Sequence, residues 1–165
     1  GALDRIVGLK FFNVFGPNEY HKEDMRSVIN KAYPRVAAEG KMSLFKSYHP
    51  DYKDGQQMRD FIYVKDAVEM TLFFLDRPDL AGIYNIGTGR ARSWNDVAAA
   101  LFASVGKKPD IEYIEMPEYL RPRYQYFTEA PMDKIRSAGY GRPITPLEDA
   151  VSEYVKQYLS RKAFW

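Results

Sequence analysis

Residues 6–14 are almost continuously apolar up to the break at Gly16-Pro17. A run without polar alternation predicts a strand buried on both faces, as in a parallel sheet. Such a strand needs neighbours and crossover helices, so the pattern also predicts a segment ahead of residue 1. Met25, Val28, Ile29, Ala32, Val36 and Ala37 recur at helical spacing as far as Gly40, and Pro34 within them predicts a kink or break. Residues 42–45 and 59–64 read as short strands flanking the polar, turn-rich stretch 46–58, a candidate binding loop. Asp66 is placed to cap a helix through Ala67, Val68, Thr71, Leu72 and Leu75, and Pro78 and Gly82 then lead into an apolar strand at 83–86. Ser93 with Asp96 predicts a capping box for a helix that stops at Gly106, followed by a strand at 111–114. Thr145-Pro146-Leu147-Glu148 combines an N-cap, a first-turn proline and a glutamate, and predicts a helix whose buried face is Leu147, Ala150, Val151, Tyr154, Val155, Tyr158 and Leu159. These elements predict an α/β fold in which the end of a parallel sheet joins a smaller α+β lobe.

Composition narrows the chemistry. With 45% of its 165 residues hydrophobic and 15% aromatic, the chain can build one ordinary core. A net charge of +2 makes no strong case for a nucleic-acid or membrane surface, and the longest apolar runs fall far short of the roughly 20 residues needed to span a bilayer. The chain has no cysteine, which excludes disulfides and thiolate metal sites; His21 and His49 alone make a poor zinc site. A phosphate-bearing small ligand is compatible with this charge balance.

Four segments in order resemble the extended short-chain dehydrogenases/reductases over nearly the whole chain. They are Phe12-Asn13-Val14-Phe15-Gly16-Pro17, Arg59-Asp60-Phe61-Ile62-Tyr63-Val64-Lys65-Asp66, Tyr84-Asn85-Ile86-Gly87-Thr88-Gly89 and Gly139-Tyr140. In that superfamily the first follows the strand after the catalytic Tyr-x-x-x-Lys helix, the second carries an Arg-Asp-Phe/Tyr signature, and the third ends a strand with an Asn-x-Gly turn. Gly16-Pro17-Asn18-Glu19-Tyr20-His21-Lys22, Leu44-Phe45-Lys46-Ser47 and Arg123-Tyr124-Gln125-Tyr126-Phe127-Thr128 further resemble the nucleotide-sugar epimerases that invert C6 of an ADP-heptose.

The resemblance implies that residues 1–165 are the C-terminal part of an extended dehydrogenase, mainly its substrate-binding lobe with the last Rossmann elements. The N-terminal cofactor-binding half is not in this sequence: neither the superfamily's glycine fingerprint nor its catalytic Tyr-x-x-x-Lys is read anywhere along it. The resemblance also implies a cytoplasmic, homo-oligomeric enzyme of lipopolysaccharide core-sugar synthesis that oxidises and re-reduces C6 of an ADP-sugar. Its cofactor would be NADP, or NAD in its place, bound mainly by the other half. Carried over residue by residue, Lys22 is the second acid/base group and touches the cofactor, and Val14 is a backbone cofactor contact. Asn13, Asp24, Lys31, Phe45, Lys46, Ser47, Tyr48, Arg59 and Tyr124 match the substrate pocket. Asp24 and Lys31 replace the family's small polar residue and histidine, and the loop 48–58 is longer. An acid/base lysine needs burial or a neighbouring charge to bring its pKa towards neutrality.

Each residue also has a plainer reading. Lys22 reads equally as a solvated lysine in a charged loop, Arg59 as an ion-pair partner of Asp60 or Asp66, and Tyr124 as a core-rim aromatic. Gly87-Thr88-Gly89 is read as a turn rather than a phosphate loop, and the tyrosines from Tyr113 to Tyr126 as core and pocket lining rather than a nucleic-acid platform. Two rival functions stand beside the heptose reading. One is another epimerase, dehydratase or reductase of the superfamily acting on a UDP-, GDP- or dTDP-sugar; the other is a non-catalytic sugar-nucleotide-binding or interaction module.

Overall fold

The computed structural model describes residues 6–165. Its elements are β1 (Val7–Phe11), β2 (Asn13–Phe15), α1 (Val28–Glu39), β3 (Met42–Phe45), β4 (Met58–Tyr63), α2 (Val64–Phe73), β5 (Gly82–Ile86), β6 (Ala91–Ser93), α3 (Trp94–Ser104), β7 (Ile111–Ile114), α4 (Asp133–Ser137) and α5 (Leu147–Glu153). A π-helical turn, Tyr154–Leu159, continues α5. Three small sheets hold the fold together: β1 beside β5, β2–β4–β6, and β3 beside β7. All pairings are parallel except β4 with β6. Among the described residues no helix is long and apolar enough to cross a membrane.

β4 is the wall between two apolar clusters. Successive side chains of a strand point to opposite faces, so Phe61 and Tyr63 enter one cluster with α1, α3, α5 and β3, while Ile62 enters a second with Ala67, Met70, Tyr84 and Ile86. The first cluster contains the whole predicted face from Leu147 to Leu159, which explains why that amphipathic pattern was so clear. Ser93 and Asp96 form the expected capping box, with Asp96 N donating to Ser93 Oγ at 3.1 Å and Ser93 N to Asp96 Oδ2 at 3.0 Å.

Five local expectations are corrected. The apolar run 6–14 is two strands, because the chain changes partner at Phe12: β1 pairs with β5 and β2 with β4. Nor is the run buried on both faces, since Phe11 is 50% exposed and Ile83, which lies opposite Gly8 on β5, is 69% exposed. Pro34 neither kinks nor ends α1, which runs through it and starts at Val28 behind the Ser27 cap; Met25 lies outside the helix and is exposed. Asp66 sits inside the first turn of α2 and caps nothing there. Its carboxylate instead accepts from Thr145 N and Thr145 Oγ1, both at 2.9 Å. That contact takes the Thr145 side chain away from the predicted N-cap, and α5 begins one residue later, after Pro146.

The turn at Gly87-Thr88-Gly89 is a turn, fastened by Asp60. Fully buried, Asp60 accepts through Oδ1 from Thr88 N (2.8 Å) and Thr88 Oγ1 (2.7 Å), and through Oδ2 from Gly89 N (2.9 Å) and Ala130 N (3.0 Å). One carboxylate thus joins β4 to the loop after β5 and to the segment ahead of α4.

Candidate functional site

The loop between β3 and β4 is closed at its base by side chains. Ser47 N donates to Asp54 Oδ1 at 2.7 Å, and Gln57, fully buried, donates from Nε2 to the carbonyls of Phe45 (3.4 Å) and Lys46 (3.3 Å). At the far side Asn95 N donates to Gly55 O at 3.0 Å and Asn95 Nδ2 to Asp54 O at 3.1 Å. Gly55 has φ +71°, and a Cβ there would lie 2.1 Å from Asn95 Oδ1. Glycine is therefore required both by the backbone and by the contact. Gly55→Ala is expected to destabilise the protein by about 1–3 kcal/mol, read as a lower urea midpoint with an unchanged slope; an unshifted midpoint would show that the loop base yields freely.

Across this loop lies a train of aromatic and cationic groups from two distant parts of the chain. The Arg121 guanidinium stacks on Tyr48 at 3.9 Å, Tyr48 N donates to Tyr126 Oη at 3.2 Å, and Tyr48 and Lys46 both engage Glu115. Tyr126 packs against His49, Tyr52 and Tyr124, with centroids 5.0–5.6 Å apart. Tyr124 Oη accepts from Trp94 Nε1 at 2.9 Å, and the Arg59 guanidinium lies 5.1 Å over the Tyr124 ring.

Arg59 is the buried charge of this cluster. It is 8% exposed, and its Nη1 donates to its neighbour's carbonyl, Met58 O, at 2.8 Å. The ion-pair reading fails: Asp60 is engaged by Thr88, Gly89 and Ala130 and Asp66 by Thr145, and Arg59 forms no salt bridge among the described residues. Burial lowers its pKa from the ordinary arginine value, with the Tyr124 phenol acting in the opposite sense. Burial likewise raises the pKa of Tyr124, against the pull of Arg59. A buried guanidinium without an anion favours a ligand that brings one.

Two adjoining cavities collect most of the remaining candidates. The larger, about 420 Å³, is walled by Val28, Lys31, Phe45, Trp94 and Tyr124 among others. The smaller, about 180 Å³, is bounded by Asn13, Val14 and Met25 and shares Val28 and Trp94 with the first. Lys22 and Asp24 line neither; both are exposed on the 3-10 segment Tyr20–Met25, where the Asp24 carbonyl accepts from Lys31 Nζ at 3.0 Å. The structure therefore brings Phe45, Lys46, Ser47, Tyr48, Arg59 and Tyr124 together, sets Lys31 beside them and Asn13 and Val14 behind Trp94, and leaves Lys22 on a rim turn.

Sequence reasoning missed Trp94, the partition between the cavities, although its place directly after the Ser93 cap was a usable signal. It also missed His49 and Tyr52, which pack with Tyr126 in one ring cluster. Of the tyrosines read as core or pocket, Tyr119 is 74% exposed and is neither. The reading that Tyr-x-x-x-Lys is absent is corrected: the spacing occurs once, at Tyr158 and Lys162. There Tyr158 is buried in the first cluster beyond α5 while Lys162 is exposed, so the pair has no place at these cavities.

A model of the NAD dependent epimerase/dehydratase family matches residues 4–87. The chain is 61% identical over 160 residues to the ADP-L-glycero-D-manno-heptose-6-epimerase of Nitratidesulfovibrio vulgaris strain DP4, covering 97% of this chain and 50% of that protein. It is 47% identical to the enzyme of the same name from Fusobacterium nucleatum, over 94% of this chain and 48% of that protein. The chain thus spans about half the length of the curated relatives it matches. Among solved structures, Helicobacter pylori ADP-L-glycero-D-manno-heptose-6-epimerase superposes with a TM-score of 0.74 at 28% identity, over 92% of this chain and 43% of that one. Bacillus cereus UDP-glucuronic acid 4-epimerase superposes at 0.77 with 21% identity, over 96% and 46%, a likeness of fold alone.

Proposed function

Since the chain belongs to the NAD dependent epimerase/dehydratase family, we propose that it is the C-terminal, substrate-binding part of a cytoplasmic NADP-dependent epimerase that inverts C6 of an ADP-heptose for lipopolysaccharide synthesis. The observation that carries the substrate class is Arg59: a buried cation with no anion of its own among the described residues, lying behind the larger cavity against Tyr124, whose ring is part of that cavity's wall. A nucleoside diphosphate supplies both the charge that Arg59 lacks and a planar base for the neighbouring rings. The choice of ADP-heptose over other sugar nucleotides rests on the names carried by the relatives at 61% and 47% identity.

The smaller cavity tests the fit of the cofactor. At about 180 Å³ it lies below the usual range of roughly 300–1,000 Å³ for ligand sites. It has room for the nicotinamide end of a dinucleotide, with the remainder outside this chain. Asn13 and Val14 would border that end, and a nicotinamide held there would supply reversible hydride transfer at C6. The chain's own residues do the rest. Arg59 and Tyr124 hold the diphosphate, the loop from Phe45 to Tyr48 borders the ADP, Asn13 and Lys31 contact the sugar, and Asp24 lies at the same rim. Val14 meets the cofactor through its backbone. Lys22 takes the C6 hydroxyl proton on one face or gives it back on the other, opposite a tyrosine contributed by the cofactor-binding half. That half would also cover the exposed apolar side chains of β1 and β5, Phe11 and Ile83.

The test is epimerisation by the complete enzyme, with ADP-heptose compared against UDP-, GDP- and dTDP-sugars. Turnover of the ADP-heptose alone supports the proposal, and preference for another sugar nucleotide overturns it. Arg59→Ala is expected to weaken ADP binding by about 1.5–3 kcal/mol, roughly 10- to 150-fold. ADP affinity unchanged by calorimetry would remove Arg59 from the diphosphate site.

A further inference from the structure

The turn that carries Lys22 is held by more than its own sequence. Between β2 and α1 the backbone takes positive φ at Gly16 (144°), Asn18 (67°) and Glu23 (47°), conformations that side-chain-bearing residues keep only when their surroundings over-determine them. From inside, the buried Glu19 supplies part of that restraint. Its carboxylate accepts from Ser27 N, from Ser27 Oγ at 2.7 Å and from Tyr154 Oη at 2.8 Å, joining the turn to the α1 cap and to the π-helical turn.

The outer restraint comes from residues 163–165. Lys162, at φ 50°, turns the chain back, and Ala163 N donates to Tyr158 O at 3.0 Å. Asn18 then brackets Trp165: Asn18 Nδ2 donates to Trp165 O and Trp165 N donates to Asn18 Oδ1, both at 3.0 Å. Phe164 meets Tyr20 edge-on at 5.5 Å, and the Trp165 ring lies 5.4 Å from Lys65 Nζ, which is itself paired with Glu153. Phe164 is 70% and Trp165 60% exposed, so neither is part of the core. Their contacts run to the two residues that flank Glu19 and to α2.

We propose that residues 163–165 form a strap that positions Lys22 for proton transfer, with Asn18, Phe164 and Trp165 as positioning residues. The inference rests on the reading of Lys22 as the acid/base group. At Asn18 and Tyr20 from outside and at Glu19 from within, the backbone that bears Lys22 is tied to the rest of the fold. A group displaced by an ångström from its reacting partner loses much of its rate while the substrate still binds.

The experiment uses two variants of the complete enzyme: the double variant Phe164→Ala/Trp165→Ala, and Asn18→Gly, which keeps positive φ accessible while deleting the bracket. Hydrogen exchange is followed at the amides of Lys22 and Arg26, which bond within the turn to Glu19 O and Glu23 O, alongside kcat and KM. Expected are exchange in the turn faster by about tenfold with the α3 amides unchanged, and kcat lower by about tenfold with KM for the sugar nucleotide within about twofold. Unchanged exchange in the turn overturns the strap. Faster exchange with undiminished kcat also overturns it, in an enzyme where Lys22→Met abolishes turnover. If Lys22→Met itself turns over normally, the functional reading fails instead, and the exchange rates alone then decide whether the strap holds the turn.

Discussion

Lys22→Met in the complete enzyme is expected to lower kcat for epimerisation by about 10²- to 10⁴-fold, the usual contribution of a positioned acid/base group, with cofactor and ADP affinity changed by less than about threefold. Methionine keeps an unbranched stem of similar reach and deletes the ammonium, so the proton has no carrier while the backbone of the turn is undisturbed. The location of Lys22 makes the experiment informative. It stands on an exposed turn beside, not inside, the two cavities, whereas Arg59 and Tyr124 are largely buried. A residue that only tethered the diphosphate would raise KM when removed; one that moves a proton lowers kcat. Turnover unchanged in stopped-time assays of C6 inversion would return Lys22 to the solvated-lysine reading.

Asp60→Ala is expected to cost about 3–5 kcal/mol of stability, which in a chain of this size corresponds to a fall in Tm on the order of 10 °C. The alanine leaves the N–H groups of Thr88, Gly89 and Ala130 and the Thr88 hydroxyl without their acceptor. Asp60→Asn should fall between, because the amide offers one acceptor oxygen and sets an NH2 against donors on the other side. Urea denaturation checks both. A loss under about 1 kcal/mol for the alanine variant would mean that water reaches these groups and that the junction of β4, the β5 turn and the α4 approach is not closed.

What could be read in the sequence was whatever depended on neighbours within a turn or two. The capping box of Ser93 and Asp96, the face of α5 and the short strands at 42–45 and 83–86 have local causes. Reading failed where a side chain was claimed by a distant partner. Thr145 and Asp66 each looked like a cap, and each was taken by the other across 79 positions. The run 6–14 looked like one strand because its apolarity is unbroken; its division at Phe12 is imposed by β5 and β4, which no local pattern announces. In the same way Arg59 and Tyr124 were singled out one at a time, from a signature and a motif, but their stacking depends on a chain reversal 65 positions long. Trp94 could be placed at the start of α3 from the Ser93 cap, but its bond to Tyr124, 30 positions away, could not be read from either residue's neighbours.

The closed base of the loop between β3 and β4 bears on how specificity can be rewritten. Its ends are fixed by Ser47 with Asp54, by Gln57 on the Phe45 and Lys46 carbonyls and by Asn95 on Gly55. Residues inserted between 48 and 53 would therefore lengthen only the tip. Doubling a loop raises its closure cost by roughly 0.6 kcal/mol, a small sum beside the stability held in β4. Changes at the tip would leave Arg59 and Tyr124 where they are, so under the proposed reading the rim of the nucleotide site can be altered while the contact to the diphosphate is kept.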